Sequence, residues 1–244
     1  MIIDVDIGNT RIKWRYAQPG ASIQFLDFPD AVPAEWLNLP SGSRMRLSSV
    51  VGPEKTTSFV TLIKACCGID AEIAVVKSPF AGVNVAYAEP LRLGVDRWLA
   101  LLAGHHFSPG RDLVVVHGGT ALVVDFLSSD GRHVGGFIAP GVRTALSGLL
   151  SSADAIRLAD STVMRRDQPG TTTLECIHAG FSALYGGFLQ QIAKSASANL
   201  DRPRWIFAGG DGEFLVGLGF ELWKEESPLV VPGLVMDGLA IALP

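Results

Sequence analysis

One structural unit, a strand followed by a glycine turn and a second strand, occurs twice in this chain of 244 residues. The first copy spans residues 2–14, where apolar and mostly β-branched residues flank a turn at Gly8-Asn9. The second copy lies within residues 112–126, where Gly118-Gly119 separates two runs rich in valine. A repeat of this kind constrains the fold strongly, because it predicts two lobes that each open with the same unit.

Between and after these copies, strand patterns alternate with helical patterns, which is typical of an α/β protein. Further strands are predicted at residues 21–28, 45–51, 71–76 and 205–208, and helices at residues 53–67, 141–150, 172–200 and 232–244. Another helix is predicted to begin at Asp96 as its N-cap. The break between the lobes is expected near residue 107, which gives an N-terminal lobe of residues 1–107 and a C-terminal lobe of residues 108–244.

Composition and charge exclude several classes of protein. Hydrophobic residues make up 48% of the chain and charged residues 18%, which is enough apolar material for a sizeable core. The net charge of -4 argues against a nucleic-acid or anionic-membrane partner, since both require a basic surface. The three cysteines lack zinc spacing and are expected to be reduced and buried, which favours a cytoplasmic protein.

The polar residues of the first turn suggest chemistry with phosphate. Asp6, Gly8, Asn9 and Thr10 cluster at the turn and Lys13 follows it. An acid, a glycine that allows close approach of backbone, small hydrogen-bonding side chains and a lysine can hold a nucleotide phosphate and its metal. The alternative is an ordinary hairpin with a polar tip. Two such turns would form a phosphate clamp, which favours a kinase or a phosphatase.

The chain resembles a known family, the type III pantothenate kinases. The resemblance is carried, in order, by DIGNTRIK, NVAYAEPLRLGVDRW, HGGTALVVD, GRHVGGFIAPG, TTTLECIHAG and AGGD, which together extend over nearly the whole chain. It implies a fold of two RNase H-like lobes of the actin-like ATPase type and a homodimer. It also implies ATP-dependent phosphorylation of pantothenate to 4'-phosphopantothenate, the first step of coenzyme A biosynthesis.

The resemblance also implies roles for individual residues. ATP contacts are expected at Asp6, Ile7, Gly8, Asn9, Thr10, Arg11, Ile12, Lys13 and Thr120, and substrate contacts at Tyr87, Gly94, Val95, Asp96, Arg97 and Thr173. Asp96 corresponds to the proton acceptor of the family, and a carboxylate beside the pantothenate hydroxyl suits that role. Structural alternatives are a core or surface position for Tyr87 and helix capping for Asp96 and Thr173.

One position departs from the family pattern. The second phosphate motif of the family normally begins with an aspartate associated with a monovalent cation, K+ or NH4+, and His117 stands there in this chain. A neutral imidazole is a poor ligand for a hard alkali cation, so a monovalent cation is not expected here. A protonated His117 would supply the missing positive charge locally. The alternative is that His117 only fills the space and that the site is weakened. Asp6 is then the one acid left in the paired turns to organise Mg2+ or another divalent metal.

A non-catalytic role is the competing hypothesis. The Bvg accessory factor proteins resemble this kinase family, and their second phosphate motif is altered at the same acidic position. The acidic chain shows no helix-turn-helix signature, which argues against binding to DNA. Asp125, which follows the second motif, either helps to position hydrated magnesium or faces solvent.

Overall fold

The computed structural model describes residues 1–27, 31–153, 162–223 and 226–244. The end of the strand predicted at residues 21–28 lies outside these ranges, as does part of residues 151–169, whose sequence predicts a polar connection. The chain divides into two compact units, one made of residues 1–106 with residues 233–244 and the other of residues 107–232.

The first unit contains a five-stranded sheet and two helices that precede residue 108. Its elements are β1 (Ile2–Ile7), β2 (Ile12–Tyr16), β3 (Gln24–Leu26), β4 (Arg44–Ser49), α1 (Pro53–Cys67), β5 (Glu72–Ile73) and α2 (Val95–Phe107). The strand order is β3-β2-β1-β4-β5. Strands β1, β2 and β3 pair antiparallel, whereas β4 and β5 extend the sheet in parallel.

The second unit repeats this plan. Its elements are β6 (Leu113–Gly118), β7 (Ala121–Leu127), β8 (His133–Pro140), α3 (Val142–Ser152), α4 (Thr173–Asn199), β9 (Arg204–Gly209), α5 (Gly212–Leu218) and β10 (Leu229–Val230). The strand order is β10-β9-β6-β7-β8. When β6 to β10 are matched with β1 to β5, every neighbouring pair has the same partner and the same direction. The repeat inferred from the two glycine turns is therefore confirmed.

Alternation along β1 decides which side chains enter the core of the first unit. Ile3, Val5 and Ile7 are fully buried in one apolar cluster, in which the rings of Trp14 and Trp36 meet edge to face at 5.2 Å between centroids. The side chains between them therefore point to the opposite face of the sheet, because successive side chains of a strand alternate. The sequence places two carboxylates, Asp4 and Asp6, on that face.

The opposite face is covered by the last helix, α6 (Leu234–Ala242), which packs on β1 and β4. Asp4 is fully buried there and lies 2.7 Å from Arg46, while Arg15 pairs with Asp237 of α6 at 2.5 Å. Leucine, valine and methionine of α6 are buried with them. These contacts place residues 233–244 in the first unit. The predicted lobe of residues 108–244 is wrong for this segment, because its apolar face packs on a sheet distant in sequence.

Several predicted bounds are confirmed and a few are not. Helix α1 covers Pro53–Cys67 as predicted. The strands predicted at residues 21–28 and 71–76 shorten to three and two residues, because both lie at an edge of the sheet and pair on one side only. Cys66 and Cys176 are exposed and Cys67 is partly buried, so the expectation of three buried cysteines is wrong.

Within the described ranges, every helix is too short or too polar to cross a membrane.

Candidate active site

Asp6, the acid of the first turn, has a strongly raised pKa. It lies near the end of β1, opposite Lys13 in the register of β2, and only 6% of its surface is exposed. The pKa of Asp6 is raised to about 6: burial has the largest effect, Lys13 and a hydrogen bond from Ser48 lower the pKa, and the charge of Asp96 raises it. Carboxyl groups with raised pKa values, set by burial and charged neighbours, are common at catalytic sites.

The turn itself is held by its two ends. Ile7 and Ile12 pair across the hairpin and both are fully buried, which fixes the register. The backbone N–H of Gly8 donates to the carbonyl of Arg11 at 3.3 Å. Asn9 and Thr10 are exposed at the tip. Anchored ends and an exposed polar tip suit a turn that contacts a ligand with its backbone and small side chains.

The start of α2 positions Asp96. The carbonyl of Gly94 accepts a hydrogen bond from the backbone N–H of Trp98 at 3.1 Å, and the helix itself begins at Val95. Asp96 therefore lies in the first helical turn, and its predicted position as the N-cap is wrong. Its Oδ1 accepts from the backbone N–H of Arg97 at 2.8 Å, which fixes the carboxylate at the helix start. A Cβ at Gly94 would lie 2.6 Å from that oxygen, so a larger residue would displace it.

Arg97 and Tyr87 form a pair next to this carboxylate. Arg97 is 8% exposed, and its Nη1 donates to the hydroxyl of Tyr87 at 2.9 Å. The guanidinium also lies 5.7 Å from the centroid of the Tyr87 ring. A buried guanidinium requires hydrogen-bond partners and negative charge. The hydrogen bond therefore orients the guanidinium of Arg97, which is a group that can bind a carboxylate or a phosphate.

A cavity of about 390 Å³ is lined in part by the residues that lead into α2. Its walls are the end of β4 with the residues that follow it, residues 74–76 and residues 91–95. Gly94 and Val95, two of the predicted substrate residues, line this cavity. Its volume lies in the range of small-molecule sites.

The second turn, in the second unit, joins β6 to β7. His117 is the next-to-last residue of β6, and its ring packs so closely on Gly209 that a Cβ there would lie 2.6 Å from Cδ2 of the ring. Thr120 is exposed at the tip, and its carbonyl accepts from the hydroxyl of Thr144 at 2.7 Å. This turn is therefore braced by the start of α3 and the end of β9.

For two further residues, Thr173 and Asp125, the structure excludes the purely structural alternative that the sequence left open. Thr173 is the exposed first residue of α4, and the helix is capped by Thr172, whose side chain accepts from the backbone N–H of Glu175 at 3.3 Å. The capping alternative for Thr173 is therefore wrong. Asp125 is 3% exposed and lies 3.0 Å from Nε2 of His133, so the alternative that it faces solvent is also wrong.

The donor set limits which metals this chain can hold. In the part of the chain that the structure describes, no group of three or more histidine, cysteine or acidic side chains is arranged for a metal. Mg2+ is commonly held by one or two carboxylates together with substrate phosphates and waters, and Asp6 fits that pattern. His117 offers a nitrogen where an alkali cation prefers oxygen, so that position does not fit the monovalent cation that the resemblance implies.

Two equivalent sheets, each with a glycine turn after its first strand, form a fold of the actin-like type. MreB 5 of Spiroplasma citri, solved with AMPPNP, has this fold at a TM-score of 0.51 and 10% identity, over 98% of this chain and 95% of that one. A Baf family protein of Campylobacter jejuni is similar at a TM-score of 0.61 and 21% identity, over 98% and 95% of the two chains. At these identities the similarity concerns the fold alone.

The sequence comparisons are more specific. The family model of type III pantothenate kinase matches residues 2–195. A type III pantothenate kinase of Ectopseudomonas mendocina is 37% identical over 259 residues, which cover 100% of this chain and 99% of the relative. The chain belongs to the type III pantothenate kinase family.

Proposed function

We propose that this protein transfers the γ-phosphate of ATP to the primary hydroxyl of pantothenate and forms 4'-phosphopantothenate, the first step of coenzyme A biosynthesis. The observation that carries the proposal is the hydrogen bond from the buried Arg97 to the half-buried Tyr87, next to Asp96 in the sequence, in a chain of this family. Pantothenate carries one carboxylate and one primary hydroxyl. A fixed guanidinium next to a carboxylate base matches these two groups.

In the proposed mechanism, Asp96 accepts the proton of the pantothenate hydroxyl as its oxygen attacks the γ-phosphorus. The new P–O bond forms while the bond to the departing ADP breaks, and the proton remains on Asp96. Arg97 binds the substrate carboxylate and is oriented by the hydroxyl of Tyr87. Pantothenate is expected to enter the cavity that Gly94 and Val95 line.

Nucleotide contacts are proposed at each of the two glycine turns. Residues 6–13 are expected to contact its phosphates, with Lys13 neutralising negative charge, and Thr120 of the second turn to contact the nucleotide. Asp6 would hold the divalent metal, which when bound offsets the charge of the transferred phosphate. Thr173 is proposed as a further substrate contact, and its exposure at the start of α4 is compatible with that role.

Replacement of the proposed base tests this function. In an ADP-release assay, Asp96→Asn is expected to lower kcat by a factor of about 100 to 10,000, the usual contribution of a positioned base, with ATP affinity retained. Asp70→Asn is the matched control, since Asp70 is an exposed aspartate of the same unit. Full activity of Asp96→Asn, or no pantothenate-dependent ADP release by the unaltered protein with any cation, would overturn the proposal.

We further propose that turnover does not require potassium, because His117 lacks the oxygen ligand that the cation needs. Activity measured with the chloride salts of sodium, ammonium and potassium at equal ionic strength is expected to be equal within experimental error. A strong requirement for potassium or ammonium would contradict this proposal.

A homodimer is also proposed, as the family resemblance implies. Strand β8 is an edge of its sheet, and it exposes Phe137 and Ile138, the latter by 65%. An apolar strand edge is a common site of association between chains. Ile138→Lys is expected to shift the mass measured by light scattering from dimer to monomer, whereas Leu37→Lys, at an exposed leucine of the first unit, leaves it unchanged.

A cytoplasmic location is proposed on the same resemblance and on the three free cysteines.

A further inference from the structure

Two backbone segments of the second unit converge on the glycine turn between β6 and β7. A Cβ at Gly141 would lie 1.9 Å from the carbonyl oxygen of Gly119, and one at Gly209 would lie 2.1 Å from that of Gly118. The backbone N–H of Asp211 donates to the carbonyl of Gly118 at 3.2 Å. The start of α3 and the segment after β9 therefore bring their own side chains to the turn.

Arg143 is the cation that this convergence provides. It is the second residue of α3, and its Nη2 lies 3.2 Å from the position that a Cβ at Gly210 would occupy. Its side chain is 58% exposed, and its Nε lies 3.8 Å from Oδ1 of Asp211, near the outer limit of an ion pair. A guanidinium at this distance retains donors for a further ligand, because it carries five N–H groups.

The carboxylate of Asp211, which faces Arg143, has one oxygen without a hydrogen-bond partner among the described residues. Its side chain is 12% exposed, and Oδ2 is buried with no hydrogen-bond partner among residues 1–27, 31–153, 162–223 and 226–244. Burial raises the pKa of Asp211, and Arg143 and a backbone hydrogen bond from Val142 lower it. Buried polar atoms in native proteins nearly always have a partner, so the orphaned oxygen points to a donor from outside the chain. A hydrated magnesium ion that accompanies a nucleotide would bring such donors, because the water molecules bound to it carry O–H groups.

We propose that Arg143 is a phosphate-binding residue of the second glycine turn and that Asp211 is its positioning residue. The inference rests on the proposed use of ATP and adds a specific nucleotide contact to it. A guanidinium is charged at all physiological pH values and binds phosphate oxygens with two parallel hydrogen bonds. It thus supplies the fixed positive charge at the turn where His117 offers no carboxylate for a cation.

Calorimetric titration with Mg·ATP tests this assignment without any need for turnover. Arg143→Ala is expected to weaken ATP binding about tenfold to a hundredfold, as loss of a charge-assisted hydrogen bond does, and to leave KM for pantothenate unchanged. Arg143→Lys keeps the charge without the planar fork and is expected to bind with intermediate affinity. Arg202→Ala is the matched control, because Arg202 is an exposed arginine of the same unit, away from this turn.

The positioning role of Asp211 is tested by a double-mutant cycle. Asp211→Asn alone is expected to weaken ATP binding, and in the Arg143→Ala background it is expected to add little, because it acts through the missing guanidinium. Fully additive effects would overturn the positioning role, and unchanged affinity of Arg143→Ala would overturn the inference. A protein that binds ATP through Arg143 but never phosphorylates pantothenate would overturn the proposed function and retain this inference.

Discussion

At the scale of single residues, the proposed site keeps groups that oppose folding. Asp6 is almost fully buried at the end of β1, and burial raises its pKa to about 6. Near neutral pH its carboxylate is therefore charged within the sheet, with Lys13 as a partly exposed partner. Such an arrangement costs stability and is typical of groups retained for binding or catalysis.

The sign of this cost gives a prediction for Asp6→Asn. Because the folded pKa exceeds the ordinary value of 3.8, the folded protein binds more protons than the unfolded chain between about pH 4 and pH 6. The free energy of unfolding should therefore decrease as pH rises through this window. At pH 8, Asp6→Asn is expected to raise it by about 1–3 kcal/mol, while kinase activity falls.

Urea unfolding at pH 8 and pH 4 measures this effect. The difference between variant and unaltered protein should be smaller at pH 4, where Asp6 is protonated in the folded state. Asp70→Asn controls for loss of an exposed charge in the same unit. A destabilised Asp6→Asn variant at pH 8 would show that the partnership with Lys13 outweighs the cost of burial.

Arg97 offers a prediction about substrate discrimination. Arg97→Met keeps an apolar stem and removes the guanidinium that contacts the hydroxyl of Tyr87. KM for pantothenate should rise about tenfold to a hundredfold, and KM for ATP should remain unchanged. Pantothenol, which has no carboxylate, should be a poor substrate of the unaltered protein. In the variant, the ratio of KM for pantothenol to KM for pantothenate should approach one. If this ratio is the same in the variant and the unaltered protein, Arg97 does not bind the carboxylate.

At the scale of elements, close helix packing positions α2, which carries the proposed base Asp96. In the first unit, a Cβ at Gly238 of α6 would lie 2.2 Å from the backbone carbonyl oxygen of Leu99, one turn after Asp96 on α2. The two helices therefore approach so closely that only glycine fits between them. Backbone atoms cannot move aside as the end of a flexible side chain can, so a larger residue must displace a helix.

Gly238→Ala is accordingly expected to lower the free energy of unfolding by about 1–3 kcal/mol. The matched control is Gly148→Ala in α3, where a Cβ meets nothing within 4 Å. There alanine should raise the free energy by about 0.5–1 kcal/mol, because it favours the helix. Denaturant titration of both variants measures the contrast. Equal changes would indicate that helix propensity alone decides the outcome at both positions.

At the scale of the whole molecule, the first unit is assembled from both ends of the chain. Helix α6 buries Leu234, Met236 and Leu239 in that unit. Arg46 also donates to the carbonyl of Leu243 at 3.1 Å. Removal of this segment would uncover apolar surface and leave buried arginines short of partners.

A chain that ends at Pro232 should therefore lose structure selectively. Hydrogen exchange is expected to show lost protection in β1 and β4, which α6 covers, and retained protection in β6 and β7 of the second unit. The second unit serves as the internal control. Equal loss of protection in both sheets would contradict an independent stability of the second unit.

Much of this organisation could be predicted because its determinants are local. The strand, turn and strand of residues 2–14 and the bounds of α1 follow from alternation and from proline and glycine at the ends, and the structure confirms them. The second copy of the unit was recognisable from its valine runs and glycine turn. The candidate residues Asp6, Asp96 and Arg97 came from motifs whose roles remain predictions.

Other features depend on contacts between residues far apart in the chain. The sequence by itself determined the α/β class, the duplicated unit and the family, since periodicity, turn residues and motifs are short-range properties. Only the tertiary structure decided that residues 233–244 complete the first unit and that Arg143 and Asp211 meet at the second turn. Burial and packing set these outcomes, because an apolar face or a single charged side chain does not specify its partner until the sheets have formed.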